Sequence, residues 1–204
     1  MADAKPNSES VLSEAVLELV LHVPDSSETT LAHPAQRAHA ISRTAARNAS
    51  LISGSLSLPP GFLGWLTVVP ELIGIWKLQA QMVSDIAAVY GKKRTLGREQ
   101  MVYCLFKHVS AQLFRDVVVR VGERVVIQQT SLKFLQNMAK TIGVQVSKTV
   151  ISKGASRFVP LLGAVTVGAY AYFDTLQVAK TAVDLFERDI VIDADPKTSK
   201  SRTS

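Results

Sequence analysis

Residues 58–76, LPPGFLGWLTVVPELIGIW, hold three prolines, three glycines, two tryptophans and one carboxylate, Glu71, in an otherwise apolar run. The reading of this run decides the fold. Unbroken, it is a membrane segment; broken, it is the entry to a buried helical core. Pro59 and Pro60 each lack an amide hydrogen and carry a ring that clashes with the preceding turn, so the chain breaks there. Gly61 and Gly64 loosen it further. Pro70 suits the first turn of the helix that follows, with Glu71 beside it near the positive end of the helix dipole. From about Pro70 to Tyr90, Leu72, Ile75, Trp76, Met82, Val83 and Ile86 form a wide apolar stripe, and Lys77, Gln81, Ser84 and Asp85 gather opposite. Gly91 then supplies a left-handed cap.

Upstream, residues 8–21 (SESVLSEAVLELVL) place Val11, Leu12, Ala15 and Leu19 near one face and Glu9, Glu14 and Glu18 on another, a short amphipathic helix that Pro24 ends. The Asp, Ser, Thr and Pro content from Pro24 to His33 predicts a mobile linker. Alanine-rich residues 35–53 predict a helix with Arg37, Arg43 and Arg47 outward. Downstream, residues 99–120 carry Met101, Cys104, Leu105, Val109, Leu113 and Val117 near helical spacing. The run VVVRVGERVVI, 117–127, is β-branched enough for a strand. A lone strand has no partner elsewhere in the chain, so helical continuation with a break at Gly122 is the more economical reading. Residues 129–152 interleave Leu135, Met138, Ile142 and Val146 with Lys133, Lys140 and Lys148, a further amphipathic helix. Pro160 begins the last major helix, in which Phe158–Phe173 runs 16 residues without a charge and is rich in Gly and Ala.

These readings add up to an all-α fold: a single-domain multi-helix bundle with Pro/Gly-broken apolar helices and small-residue helix packing. Residues 1–33 form an N-terminal amphipathic helix and linker, 34–190 the helical domain, and 191–204 a disordered tail with almost nothing to bury.

With 204 residues, 47% of them hydrophobic, the chain can bury one good core. Its net charge of +6 makes anionic partners reasonable. Cys104 is the single cysteine, which excludes an internal disulfide and a multi-cysteine zinc site and fits a reducing compartment. MADAKPNSES, at the amino terminus, has acids and polar residues where a secretory signal has basic residues before an apolar stretch. The expected location is therefore cytoplasmic, peripheral to or embedded in the cytoplasmic face of a membrane. As a helix, the 16-residue uncharged stretch spans about 24 Å, short of the roughly 30 Å hydrocarbon core. The uncharged interval from Asn48 to Pro70 is long enough, but Ser50, Ser53, Ser55, Ser57 and the Pro59–Pro60 break favour a buried or re-entrant hairpin.

The segment LPPGFLGWLTVVPELIGIWKLQAQMVSDIAAVYG resembles the central signature of the EcsC family: a Pro/Gly-rich approach, a proline followed by an acid, a helix with a Leu-Gln pair and a closing Tyr-Gly. RFVPLLGAVTVGAYAYFDTLQVAKTAVDLF resembles its second signature, a Pro-x-x-Gly entry to a small-residue helix followed by an amphipathic helix. Together they cover roughly Ala45 to Arg188. YcjF-like membrane families share the proline-acid helix ending in Tyr-Gly; the order of both segments favours EcsC. The matching positions are Pro59, Gly61, Pro70, Glu71, Tyr90, Gly91, Pro160, Gly163 and Asp174. What the resemblance implies is a helical, often membrane-associated protein.

Most of those positions read as architecture, since prolines and glycines fix breaks and close packing. Glu71 either caps its helix or sits desolvated among Trp65, Leu72, Ile75 and Trp76 with a raised pKa. Asp174 marks the solvent boundary of an uncharged helix or a site. Asp85 follows Glu71 by close to four helical turns, about 20 Å, too far for paired acid–base chemistry. A catalytic reading leans on Cys104 and His108, which share a helical face at i and i+4. No orienting third residue or anion site announces itself beside them, so core packing is preferred. No HExxH, GxxxxGK[ST] or GxGxxG spacing occurs, and neither a metal nor another cofactor is expected. Six lysines or arginines and no acid lie between Arg124 and Phe173, and three arginines and no acid between Thr29 and Pro70. These basic stretches flank the two most apolar segments, as in a protein pressed on an anionic membrane face. The leading expectation is a non-enzymatic, membrane-associated helical protein that engages an anionic lipid surface or a membrane protein partner. The alternative is a soluble carrier or enzyme with an apolar small molecule in a hydrophobic pocket near Glu71. Nucleic acid ranks last, for want of a recognition motif.

Overall fold

The computed structural model describes residues 8–56, 64–108, 111–114, 118–121, 124–127, 130–153 and 160–187. Six α-helices make up most of them: α1 (Ser8–Leu21), α2 (Pro34–Leu56), α3 (Gly64–Val89), α4 (Arg98–Phe106), α5 (Leu132–Lys153) and α6 (Pro160–Glu187). The expected all-α bundle is the fold the chain adopts.

At its centre is α3, whose residues from Gln79 to Val89 are almost all buried. Its direction fixes those of its neighbours. Leu31, just ahead of α2, donates its N–H to the Val89 carbonyl at the end of α3 (3.1 Å). At the other extreme Ser53, late in α2, donates to Glu71, early in α3 (2.5 Å). The two helices are therefore antiparallel. By contrast α6 runs parallel to α3, for Gln79 meets Asp174 (2.8 Å) and, farther along both helices, the Glu187 charge acts on Tyr90. The carboxyl end of α2 and the amino ends of α3 and α6 consequently lie together at one end of the bundle.

Small residues allow the close approaches. At Gly168 of α6 a Cβ would come within 3.1 Å of the Ser50 carbonyl oxygen of α2. On the other side α1 packs against α5, where a Cβ at Gly143 would lie 2.8 Å from the Ser13 amide nitrogen. Between these pairs α4 inserts its buried residues Met101–Phe106, and Phe106 meets the edge of Trp76 at 5.3 Å between ring centres. Leu12, Val16 and Leu19 of α1 join the same core.

Three local expectations are corrected. Pro70 is not a first-turn residue: α3 begins at Gly64 and Pro70 is its seventh residue. The apolar stretch ahead of it carries the helix upstream at the cost of the one rung that Pro70 would have closed onto Leu66. The helix expected over 99–120 stops at Phe106, followed by a single 3-10 turn, Ala111–Phe114, and a β-hairpin rather than more helix. In the hairpin β1 (Val118–Val121) and β2 (Arg124–Ile127) pair antiparallel, with Val118 opposite Ile127 and Val121 opposite Arg124. The β-branched run thus supplies both strands, and Ile127 is buried in the core. Nor is the segment from His22 to His33 loose. Asp85 accepts the Ser26 hydroxyl (2.6 Å), Ser84 donates to the Pro24 carbonyl (2.7 Å) and Lys93 to that of Ser26 (2.6 Å). Ser84, assigned above to the outer face of α3, is buried by this strap. The Pro59–Pro60 break, Gly61, Gly122 and the tail 191–204 lie outside the described residues.

Gly91 ends α3 with φ +72°, its N–H on the Ala88 carbonyl and that of Lys92 on the Ala87 carbonyl. This is the two-bond closure of a helix through a left-handed residue. Pro160 is the first residue of α6, where its missing N–H costs nothing.

Candidate functional site

Two features stand out, one polar and one apolar, and α3 and α6 build both. The polar one sits midway along these helices. Gln79 (1% exposed) uses its amide to donate to Asp174 Oδ2 (2.8 Å) and Thr175 Oγ1 (3.1 Å), with Thr175 wholly buried. From the end of α4, His108 Nε2 approaches Asp174 Oδ1 at 2.7 Å. One carboxylate thereby ties α3, α4 and α6 together. Both of its oxygens are engaged, which satisfies a group that would otherwise be costly to shield from water. Gln79 Oε1 and His108 Nδ1, the remaining polar atoms of two of its members, are buried with no hydrogen-bond partner among the described residues.

This arrangement answers the catalytic reading of Cys104 and His108. Cys104 is fully buried, and desolvation drives its thiol pKa well above the ordinary range despite the opposing charge of Lys107. A thiol so placed is a core side chain and not a nucleophile, because attack requires the thiolate. His108 turns to Asp174, not to Cys104. Of the other singled-out acids, Asp85 is occupied by Ser26 and by Gln81 Nε2 (3.0 Å) in holding the strap. Glu71 is buried and does not cap the first turn, because the helix starts upstream of it; it accepts the Ser53 hydroxyl across the α2–α3 contact. Tyr90 is half-buried with its phenol pKa raised, first by desolvation and then by Glu187. Gly163 falls in the opening turn of α6. The structure brings Asp174 and His108 together and keeps Glu71, Asp85 and Cys104 apart from them. No group of three or more His, Cys, Asp or Glu side chains able to hold a metal ion occurs among the described residues.

Ser53, Gln79 and Thr175 are not singled out by the sequence as site residues, although Ser53 counts among the polar residues of its interval and Gln79 is half of the Leu-Gln pair. Gln79 did leave a signal: it falls on the apolar stripe of α3, three residues before Met82 and four after Ile75, where a polar side chain needs a buried partner.

The apolar feature is the end where α2 finishes and α3 and α6 begin. The described parts of the two uncharged intervals of the sequence, 48–56 with 64–70 and 160–173, converge there. Large apolar side chains stay outside the core around the Ser50–Gly168 contact: Leu51 is 70% exposed, Tyr170 63% and Phe173 64%. A small cluster of Ala49, Ile75 and Ala171 is buried at this contact, with Ile52 and Leu78 packed against it. The nearby carboxylates are turned inward, Glu71 to Ser53 and Asp174 to Gln79 and His108. Among the described residues no helix is long and apolar enough to cross a membrane.

In comparisons with protein-family models, with curated proteins and with solved structures, the chain matches none.

Proposed function

We propose that this chain is a membrane-associated helical protein of the EcsC type, which enters one leaflet of a bilayer with the apolar end of its bundle and acts by binding rather than catalysis. The observation that carries this reading is the convergence of the described parts of both uncharged intervals on one end, with Leu51, Tyr170 and Phe173 left exposed beside it. Exposed apolar patches rimmed by polar residues mark partner or membrane surfaces, since leaving them in water wastes the burial that drives folding. The dimensions suit half a bilayer. From Arg47, the last charge of α2, to Leu56 the helix rises about 14 Å, against roughly 15 Å for half the hydrocarbon core. Three helix ends at that depth need no spanning segment.

The two tryptophans test the reading from within. Trp65 is the second residue of α3, at the apolar end, and Trp76 is buried against Phe106. Bound to vesicles of brominated lipid, Trp76→Phe protein should show strong quenching of Trp65, whereas Trp65→Phe protein should be scarcely quenched. Co-sedimentation with neutral and anionic vesicles, at low and high salt, reports the insertion independently. A salt-resistant component of binding is expected, and absence of binding to every vesicle would sink the proposal.

A further inference from the structure

Resting on that reading, the basic face of α2 deepens it. Three arginines point outward from this helix, and their pairing differs with distance from the apolar end. Arg37 is engaged by Glu28, with Nε on Oε2 at 3.0 Å and a second bond to Oε1. Arg43 and Arg47 are exposed and carry no ion pair or hydrogen bond among the described residues. Arg37 stands about 28 Å from Leu56 along the helix, Arg43 about 20 Å and Arg47 about 14 Å. The arginine left neutralised by the fold is thus the one that a half-inserted bundle would hold clear of the bilayer.

The two unpaired guanidinium groups fall where lipid phosphates lie. Half the hydrocarbon core is roughly 15 Å deep, and the headgroup layer adds about 5–8 Å. With Leu56 near the midplane, Arg47 meets the lower edge of that layer and Arg43 lies within it. They are one helical turn apart, about 6 Å, so both can address neighbouring headgroups. Arginine suits this place, since its stem can lie along apolar surface while its planar fork binds phosphate through paired N–H groups. Antiparallel α6 sets Tyr170 and Phe173 at about the same level, where aromatic rings settle between lipid tails and water. No exposed carboxylate on α2, or on α6 before Asp184, opposes an anionic surface here. Lys77 of α3 is directed to Glu18 at 3.7 Å and takes no part.

We infer that Arg43 and Arg47 form the headgroup-binding face of this protein, selecting anionic phospholipid in the leaflet that the apolar end enters. The occupant is the bilayer itself, because the arginines gain their position from the inserted helix ends.

The test uses the full-length chain and two doubly substituted forms that lose the same charge. Arg43→Gln with Arg47→Gln removes the proposed face. Arg94→Gln with Arg98→Gln removes two exposed arginines beyond the opposite end of α3. Affinity is measured on phosphatidylcholine vesicles with and without phosphatidylserine. Charge near an anionic surface changes binding about fivefold per residue, so the first pair should lower affinity for phosphatidylserine vesicles about 25-fold. It should leave binding to pure phosphatidylcholine unchanged, and the Arg94/Arg98 pair should lose far less. Equal losses from both pairs would overturn the inference in favour of net charge alone, and no loss from the first pair would overturn it outright. In either case wild-type binding to phosphatidylcholine would leave the insertion reading standing. A wild-type chain that binds no vesicle would take both down together.

Discussion

Phe106 and Phe173 are the same side chain in opposite circumstances. Phe106, the last residue of α4, is wholly buried and meets Trp76 of α3 edge-on, while Phe173 stands 64% exposed on α6 against the neighbouring ring of Tyr172. The regions around them differ in the same way. Where α1, α3, α4 and α5 meet, most apolar groups face one another, although Leu21 and Leu132 at helix ends stay exposed. Around the α2–α6 contact, in the uncharged stretches of the sequence, Leu51, Tyr170 and Phe173 face outward. Burial is more complete around Phe106 than around Phe173, and it is the second of these regions that the proposed membrane reading addresses.

The sharpest way to break this comparison is to truncate both rings. Phe106→Ala empties a site in the closed region and should cost about 3–5 kcal/mol, read as a lower denaturation midpoint at unchanged slope. A loss below about 1 kcal/mol would mean that the closed region is not the stabilising core. Glycines make the next test. Alanine at Gly143 drives a methyl against the Ser13 backbone, whose amide nitrogen and Cα would be 2.8 and 2.9 Å away. One helix must shift, costing about 1–3 kcal/mol. Alanine at Gly168 meets the Ser50 carbonyl at 3.1 Å, which a few tenths of an ångström relieve, so its cost should be the smaller. The reverse order would show that the α2–α6 contact is the less yielding.

Asp174 stands at the border between the two regions. Changing it to Asn keeps the shape but sets an amide N–H against one of two donors, Gln79 Nε2 or His108 Nε2. One buried group then loses its partner, for a cost of about 1–3 kcal/mol. His108→Ala with Asp174→Asn should cost less than the sum of the single changes, because the two share a bond. Strict additivity in that double-mutant cycle would show that the His108–Asp174 contact contributes nothing.

The bundle was legible because helical periodicity is local: α1 follows the spacing of Leu12, Ala15 and Leu19, and the end of α3 follows Gly91. What misled was also local. Pro70–Glu71 reads identically whether a helix starts there or passes through, and only the packing of the preceding turn tells which. Two strands hidden in one β-branched run look like one strand without a partner, since the partner is the next four residues. The polar network was beyond reach for a different reason. Gln79, His108 and Asp174 are separated by 29 and 66 residues, and no spacing rule joins residues that meet only when three helices pack. Gln79 alone announced a need, as a polar residue on a core stripe, without naming its partner.

The smallest expected effect is the most discriminating. Tyr170→Ala with Phe173→Ala removes two exposed rings from the incomplete side, and substitutions away from buried features usually stay within about 0.5 kcal/mol each. Stability in solution should therefore hardly change, and solubility should improve as apolar surface is lost. Vesicle binding should weaken on neutral lipid and anionic lipid alike, because aromatic rings at the interface act through area and not charge. This is the opposite pattern to the arginine pair, whose loss should appear only on the anionic surface. Should the double alanine form unfold readily instead, Tyr170 and Phe173 would be core residues of the bundle, and the contrast with Phe106 would disappear.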